Sequence, residues 1–220
     1  PQQALAALRR HGCTAVFAVP VMLQRILELP SEVRTSFDTS SLRIVAVSGS
    51  ALPPDLANRF QRTFGSVLYN VYGSTEVSWV TIATPQDLRK APSTAGTPPR
   101  GTQLRILDEA GRPVPTGATG RVFAANDMLF EGYTNGTGRE VHDGLMATGD
   151  LGRLDASGRL FLVGREDDMI VSGGENVYPQ ETEEALRSLN EVADVAVIGV
   201  PDAEFGQRLA AFVVPADGTS

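Results

Sequence analysis

Val67-Leu68-Tyr69-Asn70-Val71-Tyr72-Gly73-Ser74-Thr75-Glu76 runs from an apolar segment into an amide, a phenol, a glycine, two hydroxyls and a carboxylate. It reads as a strand whose end opens into a ligand-facing loop. Gly73 lets the backbone approach a ligand closely. Ser74 and Thr75 can donate to phosphate oxygens, and Glu76 can hold a hard cation. Tyr72 offers a flat face to a purine. Taken alone, the same residues also fit a buried strand end whose glutamate is satisfied internally.

The flanking sequence decides what kind of sheet this strand belongs to. Residues 2–10 have a helical pattern that Gly12 can end, and residues 15–19 read as a buried strand. Pro20 opens a helix through Leu29, with Leu23, Ile26 and Leu27 at helical spacing. Residues 42–47 form the next strand, broken at Ser48-Gly49-Ser50-Ala51-Leu52. A helix then starts at Pro53-Pro54, carries Leu56, Phe60 and Phe64 on one face, and ends at Gly65. This β-α-β-α-β order predicts a mostly parallel sheet flanked by helices. Ligands of such sheets sit beyond the carboxyl ends of the strands, where both Ser48–Leu52 and Tyr72–Glu76 fall.

From about Thr94 glycine and proline become frequent and helical periodicity fades. Residues 104–107, and 151–154 joined to 160–163 through Asp155-Ala156-Ser157-Gly158, read as hairpins of a small antiparallel, barrel-like sheet. A third texture begins near Asp167: a strand at 169–172, a glycine loop, a helix from Pro179, and strands at 195–200 and 209–214. The expected fold is therefore α/β, in three parts. Residues 1–93 supply a partial parallel sheet with flanking helices, 94–166 a β-rich region, and 167–220 a partial C-terminal α+β domain.

The 220 residues carry a net charge of −7, which argues against a nucleic-acid partner and against a membrane surface recruited by basic charge. No apolar run approaches the length of a transmembrane segment. The single cysteine, Cys13, cannot form an internal disulfide, and its apolar neighbours favour plain burial. Residues 3–10 already read as a helix in progress, and the chain stops just after an apolar strand. A fragment of a longer protein is expected.

Two later stretches, Thr148-Gly149-Asp150 and Gly164-Arg165-Glu166-Asp167-Asp168, continue into Ile170-Val171-Ser172-Gly173-Gly174-Glu175-Asn176-Val177-Tyr178-Pro179. In this order, with Tyr72–Glu76, they resemble the adenylate-forming family: acyl-CoA synthetases, firefly luciferase and the adenylation domains of peptide synthetases. The wording of Ser172–Pro179 is most similar to fatty acyl-CoA ligases. The resemblance implies ATP, Mg²⁺ and CoA as cofactors and a fatty acid or related carboxylic acid as substrate, in a cytoplasmic or membrane-peripheral ligase. It implies that Gly49-Ser50-Ala51 and Tyr72 wall the adenine slot, with Gly73 beside it, and that Asn70 bonds the adenine amino group. By the same resemblance Thr75 contacts the α-phosphate, Glu76 binds Mg²⁺, Asp150 takes the ribose hydroxyls, and Arg165 reaches ribose or phosphate. Asp167 falls at the hinge of a mobile C-terminal domain, Gly173 and Gly174 line the pantetheine channel, and Phe17-Ala18-Val19-Pro20 borders the acyl site.

Read without the resemblance, Asp150 is equally a turn residue, Arg165 a solvated strand end, Phe17 a core residue and the glycine pair an ordinary turn. His11 and His142 have no legible motif context, whereas Trp79 lies near enough to Glu76 to border a pocket. The chain departs from the family at Gly120-Arg121, at Ala124–Asp127 and in the short segment 134–143. It also lacks the family's phosphate loop and late lysine, since Lys90 is the sole lysine and sits in another region. The isolated chain is accordingly expected to be inactive. The remaining alternatives are an adenylation domain loading a carrier protein and a non-catalytic nucleotide-binding module.

Overall fold

The computed structural model describes residues 1–202 and 204–216. Its first ninety residues give α1 (Gln2–His11), β1 (Ala15–Ala18), α2 (Pro20–Leu27), α3 (Ser31–Thr35), β2 (Ile44–Val47), α4 (Pro54–Phe64), β3 (Leu68–Ser74), β4 (Ser78–Ala83) and α5 (Pro85–Lys90). Next come β5 (Gln103–Leu107), β6 (Gly120–Ala125), β7 (Val141–His142), β8 (Leu145–Leu154) and β9 (Leu160–Arg165). The last elements are β10 (Ile170–Ser172), β11 (Glu175–Val177), α6 (Pro179–Arg187), β12 (Val192–Asp202) and β13 (Gly206–Pro215). By internal contacts the chain forms two compact units. One comprises Pro1–Arg105, Phe123–Thr148 and Leu154–Phe161; the other comprises Ile106–Val122, Gly149–Arg153 and Leu162–Ser220.

The expected α/β architecture is present. The sheet β1-β2-β3-β4 is parallel through β3, with Val16 beside Val45 and Val47 beside Asn70. Val16, Ala18, Val45, Val47 and Leu68 therefore share one face. There they join Leu23, Leu27, Leu56 and Phe60 from α2 and α4 in one apolar cluster. Burying such side chains contributes about 1.5–3 kcal/mol each relative to leaving them exposed, so this face determines which way each strand points.

Three expectations are corrected here. β1 is not buried throughout: Phe17 is 65% exposed. The helices cover the face of Val16 and Ala18, and Phe17 alternates to the other side, where it lines a cavity. The strand carrying Asn70 also does not end in a loop at Tyr72. β3 continues through Ser74 and folds back as an antiparallel hairpin with β4, an element the sequence reading lacks. Cys13 is half-buried rather than fully enclosed.

The hairpin requires glycine at position 73, because a Cβ there would stand 1.8 Å from the carbonyl oxygen of Ser78. β4 leads into α5 through a capping box: the Thr84 hydroxyl accepts from the Asp87 amide at 3.2 Å, and the Asp87 carboxylate accepts from the Thr84 amide at 3.0 Å. Thr84→Ala should lower stability by about 1 kcal/mol, read as a lower denaturant midpoint. An unchanged midpoint would contradict the cap's contribution.

A curled, half-barrel sheet has the order β5-β6-β8-β7, with β9 paired to β8. A third sheet, β11-β10-β13-β12, is antiparallel and carries α6 against β12. Gly173 and Gly174 form the two-residue turn between β10 and β11, both at positive φ (59° and 87°), as a tight hairpin demands. Among the described residues no helix is long and apolar enough to cross a membrane.

Candidate functional site

Glu76 stands in the turn between β3 and β4, and its carboxylate is surrounded by donors. Oε2 accepts from the Ser74 hydroxyl at 2.6 Å, Oε1 accepts from the Tyr133 hydroxyl at 2.7 Å, and the Arg139 guanidinium lies 3.6 Å from Oε1. The turn itself is pinned by the Phe130 amide, which donates to the Glu76 carbonyl at 2.9 Å. Phe130 and Tyr133 meet edge to face, with ring centroids 4.9 Å apart, which fixes the phenol's approach.

These contacts hold Glu76 ionised. The Ser74 hydroxyl first, then Tyr133, bring its pKa down from the usual 4.5 to about 2, and Arg139 adds attraction. The same hydrogen bond raises the Tyr133 phenol, because Glu76 accepts its proton only while that proton stays on Tyr133. The folded pKa of Glu76 lies below its unfolded value. Its contribution to stability is therefore complete above about pH 4.5 and lost as pH falls towards 2. The loss in denaturant midpoint caused by Glu76→Gln should accordingly be larger at pH 6 than at pH 2.5. An equal loss at both values would contradict the assignment.

Among the described residues no group of three or more His, Cys, Asp or Glu side chains gathers as a metal cage. Mg²⁺ commonly takes one or two carboxylates and completes its shell with phosphate oxygens and water. The ionised Glu76 beside the hydroxyls of Ser74 and Thr75 fits such a ligand.

Asn70 lies on the helix-covered face of β3, and its amide nitrogen donates to the Thr94 carbonyl at 3.2 Å. The pairing of Val47 with Asn70 brings the Gly49-Ser50-Ala51 turn, which follows β2, to the same end of the sheet as Asn70 and Tyr72. Gly73 and Thr75 line a cavity of about 430 Å³, walled also by Phe17, Val71, Trp79 and Met128. Trp79 thus borders a pocket, as its place in the sequence suggests.

Asp150 is not in a turn but inside the ten-residue β8. Its carboxylate meets Arg165, at the end of β9, at 3.2 Å, and Arg165 also lies 3.5 Å from Asp167. Three residues singled out separately in the sequence thus form one cluster. Glu166 beside them forms an ion pair with the Arg121 Nε at 2.9 Å. Gly174 belongs to the β10–β11 turn. Sequence reasoning missed Tyr133 and Arg139; the only local signal was the Gly132-Tyr133 dipeptide.

The chain matches the family model described as "AMP-binding enzyme" over residues 1–134 and that described as "AMP-binding enzyme C-terminal domain" over residues 181–220. It is similar to a feruloyl-CoA synthase of an Amycolatopsis species, 36% identical over all of this chain and 45% of that protein. It is also similar to a medium/long-chain fatty acid–CoA ligase of Mycobacterium tuberculosis, 36% identical over 97% of this chain and 38% of that one. The solved structure of amide bond synthetase McbA from Marinactinospora thermotolerans superposes with a TM-score of 0.92 at 33% identity, over all of this chain and 45% of that chain. The chain spans about half the length of the curated relatives it matches. With one model covering residues 1–134 of 220, the chain belongs to the AMP-binding enzyme family.

Proposed function

We propose that the chain is part of an AMP-forming acyl-CoA ligase. The substrate carboxylate attacks the α-phosphorus of ATP, forming an acyl-adenylate and expelling pyrophosphate. The CoA thiol then attacks the acyl carbonyl and AMP leaves. Beyond family membership, the observation that carries this reading is Glu76. It is an ionised carboxylate on a hairpin turn, next to Thr75, beside a cavity that can hold an acid.

In this reading Thr75 donates to the α-phosphate where charge develops, the kind of contact that speeds the step most. Ser74, Tyr133 and Arg139 position Glu76, which would hold Mg²⁺; when bound, the ion would offset phosphate charge. Asn70 and Tyr72, with Gly49, Ser50, Ala51 and Gly73, bind adenine. Asp150 binds the ribose hydroxyls and Arg165, paired with it, reaches ribose or phosphate. Residues 1–93 belong to the C-terminal part of a large N-terminal domain, 94–166 to a β-rich subdomain and 167–220 to a mobile C-terminal domain. Asp167 is the hinge and Gly174 lies on the thiol's path. The cavity beside Phe17, Val71 and Trp79 takes the acyl body, and the protein works in the cytoplasm or on a membrane surface.

Relatives that act on an aromatic acid and on fatty acids are matched equally well, at 36% identity, so neither name fixes the acid. The likeness to an amide bond synthetase supports a second reading in which an amine, not CoA, accepts the acyl group. Full-length protein should release pyrophosphate only when ATP and a carboxylic acid are both present, and should yield an acyl-CoA by mass spectrometry. An amide product would favour the second reading. ATP binding without acid-dependent pyrophosphate release would contradict both and leave a nucleotide-binding module.

A further inference from the structure

We infer that the acid this protein activates carries an uncharged, flat ring, and that Trp79, Phe17 and Met128 select it. The inference rests on the ligase reading and adds the chemical class of its substrate.

The cavity shares Thr75 with the phosphate-facing turn, so an acid lying in it can present its carboxylate there. Its other walls come from Phe17 on β1, Val71 on β3, Trp79 on β4 and Met128 after β6. Phe17 is 65% exposed, and Trp79 and Met128 are each 53% exposed. These are large apolar surfaces left uncovered by the core and turned towards one space. Two aromatic faces and a thioether match a ring better than an alkyl chain, because aromatic pairs and sulfur–ring contacts gain beyond the area they bury.

The walls are also held in place. The Asn126 amide nitrogen donates to the Val77 carbonyl at 2.8 Å, and its carbonyl oxygen accepts from the Met128 amide at 2.8 Å. The Ser78 hydroxyl then reaches the Met128 sulfur at 3.6 Å. This fixes the thioether against the hairpin, so the pocket's width is set before an acid arrives.

Charge narrows the class further. Among the described residues no lysine, arginine or histidine lines the cavity, and Arg139 is occupied with Glu76. A second anionic group on the acid would lose water and find no partner, which sites of this kind reject strongly. The hydroxyls of Ser48 and Ser78 can serve a neutral polar substituent on a ring. At about 430 Å³ the space lies in the lower half of the roughly 300–1,000 Å³ typical of ligand pockets, a size suited to one ring with a short side chain.

The test is acid-dependent pyrophosphate release by the full-length protein with 4-hydroxycinnamate, octanoate, hexadecanoate and succinate as separate substrates. The expected order of kcat/KM places 4-hydroxycinnamate at least about tenfold above either fatty acid, with succinate lowest. Trp79→Ala should lower the ratio of ring acid to octanoate about tenfold, whereas Trp79→Phe should restore it to within about threefold. Because both acids are read on the same preparation, a partly misfolded variant does not alter that ratio. Equal or better use of a fatty acid, preference for succinate, or a ratio unmoved by Trp79→Ala would overturn the inference and leave the ligase reading standing. Activation of none of the acids would overturn both.

Discussion

Glu76→Ala in the full-length protein is expected to lower kcat for adenylate formation by about a hundredfold to a thousandfold, the usual cost of losing one preorganised electrostatic partner of the reacting group. In the proposed role the residue is exacting. Its carboxylate is fixed by Ser74 at 2.6 Å and Tyr133 at 2.7 Å, so its charge is in place before ATP binds. Alanine removes the charge and also leaves those hydroxyls without their acceptor. Thr75→Ala should cost a similar factor by removing a donor to the α-phosphate. Tyr133→Phe removes only an orienting bond and should fall between wild type and Glu76→Ala. The loss should appear in kcat with little change in the KM of the acid, the pattern of an interaction made mainly in the transition state. Near-wild-type rates in both Glu76→Ala and Thr75→Ala would rule out these roles.

Asp150→Ala should instead weaken ATP binding, raising its KM about tenfold to a hundredfold, as expected for hydrogen bonds to a charged group worth roughly 1.5–3 kcal/mol. Asp150 lies within a regular strand and its side chain is 17% exposed, with Arg165 3.2 Å away. That arrangement presents a carboxylate rigidly, with a guanidinium beside it. Removing it also takes from Arg165 its carboxylate partner at 3.2 Å, with Asp167 at 3.5 Å, which should disturb the segment proposed as the hinge. Asp150→Asn keeps the shape and loses the charge, so it separates the two effects: if ribose contact dominates, it should bind ATP better than the alanine variant. Calorimetry with a non-hydrolysable ATP analogue reads this directly. Unchanged affinity in Asp150→Ala would contradict the assignment.

The parallel part of the fold was legible because its signals are local. Each apolar strand is followed by a helix with one greasy face, and Pro20, Pro54 and Gly65 mark the helix ends. β4 was not legible, because Thr75-Glu76-Val77 contains no turn residue of the usual kind. The hairpin depends on Gly73, on Ser78 at φ 54°, and on Asn126 bonding the Val77 carbonyl from 49 residues away. The same limit applies at the site. Glu76 stood out for its chemistry, but Tyr133 lies 57 residues further on, and no spacing rule connects the two. Phe17 was misread because an apolar residue in an apolar strand looks like core until one knows which face the helices cover.

The central claim is that a carboxylate oxygen of the substrate attacks the α-phosphorus of ATP. The direct measurement uses a carboxylic acid labelled with ¹⁸O in its carboxyl group, full-length protein, ATP and CoA, followed by mass analysis of the AMP produced. Attack through the carboxylate leaves one labelled oxygen on AMP for each turnover, and this is the predicted result. Acid-dependent turnover that yields only unlabelled AMP, or ADP in place of AMP, would contradict it.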